Sequence, residues 1–352
     1  MAERFRVAFA GIDHPHGAGW RESLAGLEEQ IEIVAFLTGF NGSVASLEER
    51  HAGLPRFDSV ESLIAWGQFD GAIVCLPNDE VIHAGCQLAS AGKALLVEKP
   101  CAARTDDWMK LANAIEKNRI AFQAGYMWRY DEGANRLRAM FAEGRFGKPM
   151  AMQMQWMTSD VARRGPGHYL FDQSISGGGF FNWLACHWID IVPWITGRKV
   201  TSIFARVGTF GESRIEVEDG GTAILELDDG FQVTITGGYW LPRWAGEAGV
   251  SIYGSQRWLH WDPNRAGTAG HFEIHGPQPQ FMAMNEDFSI PADTYKGYGG
   301  QKTLDLISDW VYAARNGSAC RNTPASVQAA LQVIDAIYES SAEGKVVRLD
   351  NH

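Results

Sequence analysis

Phe5-Arg6-Val7-Ala8-Phe9-Ala10-Gly11-Ile12-Asp13-His14-Pro15-His16-Gly17 is the stretch on which the fold turns. Its first six residues are a short apolar run with β-branched and aromatic members, and Gly11 closes it. Residues 17–29 then carry Trp20, Leu24 and Leu27 at helical spacing. Strand, turn and helix are expected. The alternation continues with a strand over Ile31–Leu37, a helix near Ala45–Ala52, a helix over Ser59–Trp66 and a strand over Gly71–Leu76. A helix over Val81–Ala91 stopped by Gly92, a strand Ala94–Val97, a helix Thr105–Asn118 and a strand Ile120–Ala124 complete it. Short apolar strands alternating with helices make a parallel, doubly wound α/β sheet of Rossmann type, ending near residue 124.

Beyond residue 124 the pattern changes. Met150–Thr158 and Thr201–Gly208 look like strands, and Thr222–Leu227 and Phe231–Thr236 flank the turn Asp228-Asp229-Gly230. Val250–Tyr253 and Arg257–Trp261 bracket Gly254-Ser255 in the same way. Hairpin turns at this spacing predict a mainly antiparallel sheet. Glycine-rich stretches at 165–179 and 263–270 read as loops, and helices are expected over Gln301–Arg315 and Ala325–Ser340. Residues 125–352 are thus expected to form a second, α+β domain, whose last helix is free to pack back on the first.

A chain of 352 residues that is 45% hydrophobic has enough apolar matter for two cores. No signal peptide and no run of roughly 20 apolar residues is visible, so no membrane partner is expected. Cys75, Cys86, Cys101, Cys186 and Cys320 are odd in number and scattered, which fits thiols in a reducing cytoplasm. A net charge of -11 without a basic run excludes nucleic acid as a partner. An anionic cofactor is not excluded, because backbone N–H groups at a helix N-terminus bind pyrophosphate without cations.

The turn after the first strand stands where a dinucleotide fold holds its pyrophosphate, which makes Gly11, Ile12, Asp13, His14 and His16 candidate cofactor contacts. A GxGxxG pattern anchored at Gly11 would place glycine at 13 and glycine or alanine at 16, where the chain has Asp13 and His16. The strand Ile31–Leu37 ends at Thr38 without an acid for ribose hydroxyls, and no Lys or Arg lies between Thr38 and Arg50. NAD and NADP are therefore both open. Leu95-Leu96-Val97-Glu98-Lys99-Pro100 ends a buried strand in a charged pair at the edge where such sheets bind ligands.

The irregular glycine turn, Glu98-Lys99-Pro100, the junction Gly125-Tyr126-Met127-Trp128-Arg129-Tyr130 and the segment Gly177–Gly197 together resemble the Gfo/Idh/MocA family of oxidoreductases, in order from about residue 5 to residue 348. The resemblance implies a soluble NAD(P)-dependent enzyme acting on a sugar, sugar acid or cyclitol, commonly a homodimer or homotetramer paired through its open sheet. It assigns residues 125–352 to substrate binding and oligomerisation and makes their antiparallel sheet large and open. It implies that Lys99 reaches the reacting hydroxyl, that the Lys99-Pro100 peptide is often cis, and that Leu76-Pro77-Asn78, Glu98 and Lys99 line the cofactor. A carbinol losing hydride needs an acceptor for its proton within hydrogen-bond reach.

In Gly177-Gly178-Gly179-Phe180-Phe181-Asn182-Trp183-Leu184-Ala185-Cys186-His187-Trp188-Ile189-Asp190 the helical spacing puts Trp183, His187, Asp190 and Trp194 on one stripe. The family usually carries an aspartate four residues before the histidine, where this chain has Trp183, which cannot take a proton. His187 becomes the second proton carrier beside Lys99, with Asn182, Trp183 and Asp190 around it. Cys186 points about 100° away from His187 and forms no dyad with it. Tyr126, Arg129 and His168 are further substrate candidates by position. His14 and His16 lack a third ligand at suitable spacing, so no metal is expected. Two rival readings remain: redox-neutral glycoside cleavage or lyase chemistry with held NAD, and a non-catalytic dinucleotide-dependent sensor.

Overall fold

The computed structural model describes residues 3–40, 53–211, 214–243, 245–276, 286–295 and 297–349. The helix expected near Ala45–Ala52 lies outside them. Five strands, β1 (Phe5–Ala10), β2 (Ile31–Leu37), β3 (Gly71–Val74), β4 (Ala94–Val97) and β5 (Phe122–Ala124), form a sheet in the order β2-β1-β3-β4-β5. All its pairs are parallel. A parallel bridge from Phe36 to Arg56 extends the sheet beyond β2. The chain steps outward in opposite directions from β1 and β3, and the carboxyl edge at that reversal is where doubly wound sheets bind ligands. β3 and β4 are buried at every position, as strands covered on both faces must be.

A second sheet holds nine strands in the order β13-β12-β11-β10-β6-β9-β8-β7-β14. They are β6 (Pro149–Thr158), β7 (Val200–Gly208), β8 (Gly220–Leu227), β9 (Gln232–Gly238), β10 (Gly246–Gly254), β11 (Trp258–Asp262), β12 (Thr268–His275), β13 (Glu286–Pro291) and β14 (Val347–Arg348). It is antiparallel except for the β6–β9 pair. Burial alternates along β8, with Ala223, Leu225 and Leu227 inward, the signature of a sheet covered on one face.

The chain divides into two compact units, Met1–Tyr130 with Thr294–Gln328, and Asp131–Asp293 with Ala329–His352. This departs from a boundary at 124. Residues 125–130 stay with the first unit because Gly125 N–H donates to Val97 O at 2.8 Å and the Gln123 amide donates to Tyr130 Oη at 2.7 Å. The helix that returns to the first unit is Gln301–Asn316 rather than the last one, Pro324–Glu343, which begins in that unit and continues in the second. Other departures are local. The first helix stops at Ala25, a helix Glu132–Ala142 stands where none was expected, and short helices interrupt the 165–179 stretch. The 263–270 stretch already belongs to β12 from Thr268 onward.

Candidate active site

The turn after β1 needs glycine at both ends. Gly11 has φ 76°, and a Cβ on it would lie 2.2 Å from the Cys75 carbonyl oxygen. On Gly17 it would lie 2.2 Å from the Ile12 carbonyl oxygen. Between them His14 N–H donates to Gly11 O at 2.9 Å, while Gly11 and Ile12 N–H both donate to Leu37 O. The result is a tight backbone cradle leading into the helix Gly17–Ala25.

Asp13 departs from its expected place in that cradle. Its oxygens accept the N–H groups of Gly39 at 2.7 Å and Phe40 at 2.8 Å, so the carboxylate turns onto the loop after β2. His14 accepts His16 N–H on Nδ1 at 3.0 Å, which leaves Nε2 to carry the proton of the neutral ring. The His16 ring stacks on Tyr298 at 4.4 Å. Thr38 gains a neighbour the local sequence did not offer, since Arg56 Nη2 lies 3.4 Å from its hydroxyl. Leu76 and Pro77 are buried after β3, and Asn78 opens the helix Asn78–Ser90.

Glu98 and Lys99 follow β4 at the same edge and are 5% and 1% exposed. Lys99-Pro100 is cis, as the resemblance implied. The Trp20 indole N–H donates to Glu98 Oε2 at 2.9 Å. Glu98 Oε1 is buried and has no partner among the described residues. Burial pushes the Glu98 carboxyl up to about 7, against the opposing pulls of Lys99 and the Trp20 bond. Tyr126 is fully buried just after β5. Arg129 is 7% exposed and donates to Arg321 O at 3.1 Å, which engages it in holding the returning chain rather than leaving it open to substrate.

The second unit carries the other candidates. Residues 181–185 form a π turn that runs into the helix Cys186–Thr196, so the α-helical spacing that predicted a stripe through Trp183 and His187 does not hold across it. Asn182, Trp183, His187 and Asp190 are all buried. Asn182 donates its amide to Ser176 O at 2.8 Å, and its Oδ1 is buried without a partner among the described residues. The Trp156 ring stacks over His187 at 6.1 Å and 29°. His168 lies in the loop before this helix, 4.7 Å from the Tyr169 ring, which in turn meets Trp183 edge-on. Burial, with Arg164 and Arg163 nearby, pulls His168 down to about 4, so it is a neutral hydrogen-bonding group at physiological pH. Arg56, Trp156 and Tyr298 were not singled out in the sequence, and Trp20 was read only as part of a helix face, because each reaches its partner across the fold.

Among the described residues one group, His271, Glu273 and Asp287, brings three ligating atoms within 4.8 Å of one another. It lies on β12 and β13, where His271 is bonded to Ser289 Oγ at 3.0 Å and paired with Asp287 at 3.5 Å. No helix among the described residues is long and apolar enough to cross a membrane.

Residues 5–126 match the family model described as "Oxidoreductase family, NAD-binding Rossmann fold", and residues 134–260 match "GFO/IDH/MocA C-terminal domain". The rhizopine catabolism protein MocA of Rhizobium meliloti is 23% identical over 98% of this chain and 99% of its own length. The myo-inositol dehydrogenase Hyg17 of Streptomyces leeuwenhoekii is 27% identical over 66% of this chain and 68% of its own. A levoglucosan dehydrogenase, solved in complex with NADH and levoglucosan, shares the fold with a TM-score of 0.86 at 16% identity, covering 99% of this chain and 100% of its own.

Proposed function

The chain belongs to the Gfo/Idh/MocA family of NAD-binding oxidoreductases, and on that premise we propose that it interconverts a secondary hydroxyl and a ketone on a sugar, sugar acid or cyclitol. The observation that carries the reading is the buried amine of Lys99 at the carboxyl edge of the parallel sheet, beside the buried Glu98. The inositol dehydrogenase among its relatives supports the substrate class.

The residues present fit a dinucleotide. Gly11 and Gly17 keep the turn after β1 tight, since a Cβ there would strike the Cys75 and Ile12 carbonyl oxygens, and Glu98 keeps a buried oxygen without a protein partner among the described residues. Gly11, Ile12, His14 and His16 would hold the pyrophosphate, Thr38 and Leu76-Pro77-Asn78 the adenosine side, and Glu98 and Lys99 the nicotinamide side. Bound there, a nicotinamide dinucleotide supplies the hydride acceptor or donor. Lys99 takes the hydroxyl proton in oxidation and returns it in reduction. His187 is the proton carrier of the second unit, and Asn182, Trp183, His168 and Asp190 are its substrate-orienting residues, as Tyr126 is of the first. The outward face of the nine-stranded sheet, with the paired and exposed Phe204 and Ile224, is the surface on which copies would join into a homodimer or homotetramer.

The test is a panel of polyols, sugars and sugar acids with NAD and NADP, run beside Lys99→Met. Reduced dinucleotide should form stoichiometrically with product, and the variant should lose about 10²–10⁴-fold in turnover. Calorimetric NADH affinity should stay within about threefold, since the pyrophosphate end of the cofactor would lie at the helix N-terminus after β1 and not at Lys99. Unchanged turnover in Lys99→Met, or no binding of either dinucleotide, refutes the proposal.

A further inference from the structure

Two adjacent acids before β8, neither belonging to any motif, organise the loops of the second unit. Glu218 is 9% exposed. Its Oε2 accepts Gly179 N–H at 2.7 Å, and its Oε1 accepts Phe181 N–H at 2.9 Å and the Tyr338 hydroxyl at 2.8 Å. Asp219 mirrors the pattern on another loop, accepting Phe210 N–H at 2.9 Å, Gly211 N–H at 2.6 Å and the Trp240 indole N–H at 3.0 Å.

The glycines opposite Glu218 are cut to fit this clamp. A Cβ on Gly178 would lie 2.2 Å from Tyr338 Oη, and one on Gly179 would lie 1.9 Å from Glu218 O. The start of a helix leaves N–H groups without internal partners, and a carboxylate there both accepts them and complements the helix dipole. What Glu218 holds is the first residue of the π turn 181–185. A wide turn of this kind sets the phase of everything after it. Its collapse into an α turn slips the chain by one residue and turns the following side chains by about 100°. His187 is the side chain in question, and its present direction is recorded by the Trp156 ring stacked on it.

We infer that Glu218, braced by Tyr338, is the positioning residue of the His187 helix: it fixes the glycine-rich entrance and the π turn, and so the direction in which the imidazole points. The inference rests on the reading of His187 as a proton carrier, but its test does not require turnover. The ring signals of His187 in histidine-labelled protein, assigned by their loss in His187→Gln, are followed by NMR through a pH titration.

Glu218→Gln removes the charge, and Glu218→Asp keeps it but shortens the reach to the two N–H groups. Both should displace the ring signals from their Trp156-shifted positions. Asp219→Asn disturbs a clamp with the same number of bonds and should lower the thermal midpoint comparably, yet leave the His187 signals in place. If the Glu218 variants do not fold, Tyr338→Phe, which removes one of the three bonds, should give a smaller displacement in the same direction. Unmoved His187 signals in the Glu218 variants, or in Tyr338→Phe where those do not fold, overturn the inference, as does an equal displacement in Asp219→Asn. Failure to oxidise any polyol would count against the proposed function and leave this result standing.

Discussion

Glu98 shows how one residue ties stability to pH. In the unfolded chain its carboxyl titrates near the ordinary 4.5, and in the fold burial raises it to about 7. The folded value is raised, so the native state prefers the protonated acid. Well below pH 4.5 neither state is ionised and no penalty exists. As pH rises from 4.5 toward 7 the unfolded chain ionises while the native carboxyl stays protonated, so stability falls progressively, by about 3 kcal/mol for a shift of this size. In chemical denaturation, Glu98→Gln should therefore gain stability relative to the parent by about 3 kcal/mol between about pH 4.5 and about pH 8. A gap that stays constant across that range would show that Glu98 does not titrate in this way. The pair Glu98-Lys99 was legible in the sequence as a charged strand end, but the Trp20 indole that binds it lies 78 residues away and has no local signal. Asp13 is a similar case, because only the folded loop after β2 reveals which donors its carboxylate serves.

Among the elements, periodic segments with clear stops were read well. The strand Ala94–Val97 and the helix Thr105–Asn118 fall where the apolar pattern and Gly92 put them. β12 was not read, although Phe272 and Ile274 alternate inward along it, because the glycine-rich run before it suggested a continuing loop. The π turn had no compositional mark at all, since it differs from an α turn only in its hydrogen-bond register. Glycine content likewise hides two different jobs within the 165–179 stretch. Around Gly167 a Cβ would meet nothing within 4 Å, whereas on Gly179 it would meet Glu218 O at 1.9 Å. Gly167→Ala should be neutral or stabilise by up to about 1 kcal/mol through the unfolded chain. Gly179→Ala should destabilise by about 1–3 kcal/mol because backbone must move. Thermal unfolding of the two variants side by side checks this, and equal effects would mean that the clamp on Gly179 is looser than the distances show.

For the whole molecule, the chain order of the two units is what sequence periodicity could not supply. Residues 294–328 return to the dinucleotide unit after the chain has built the nine-stranded sheet. Nothing local marks the helix Gln301–Asn316 as belonging to β1, yet its Trp310 is fully buried, packs edge-on against Phe5 at 5.3 Å and would meet a Cβ on Gly71 at 2.8 Å. Gly71 is thus small because an indole from the far end of the chain fills the space over β3. A further tie comes from Asn322, whose amide donates to Ala124 O at 2.9 Å. The first 124 residues alone would therefore leave apolar surface uncovered and should not unfold as a cooperative unit. In the full chain, Trp310→Ala opens a cavity under the sheet and should cost about 3–5 kcal/mol. Because the cradle at Gly11 stands on β1, the loss should appear as weaker NADH binding by calorimetry on approaching the lowered thermal midpoint, with saturating NADH restoring part of that midpoint by mass action. A variant that keeps its midpoint would show instead that residues 1–130 carry a sufficient core without the returning helix.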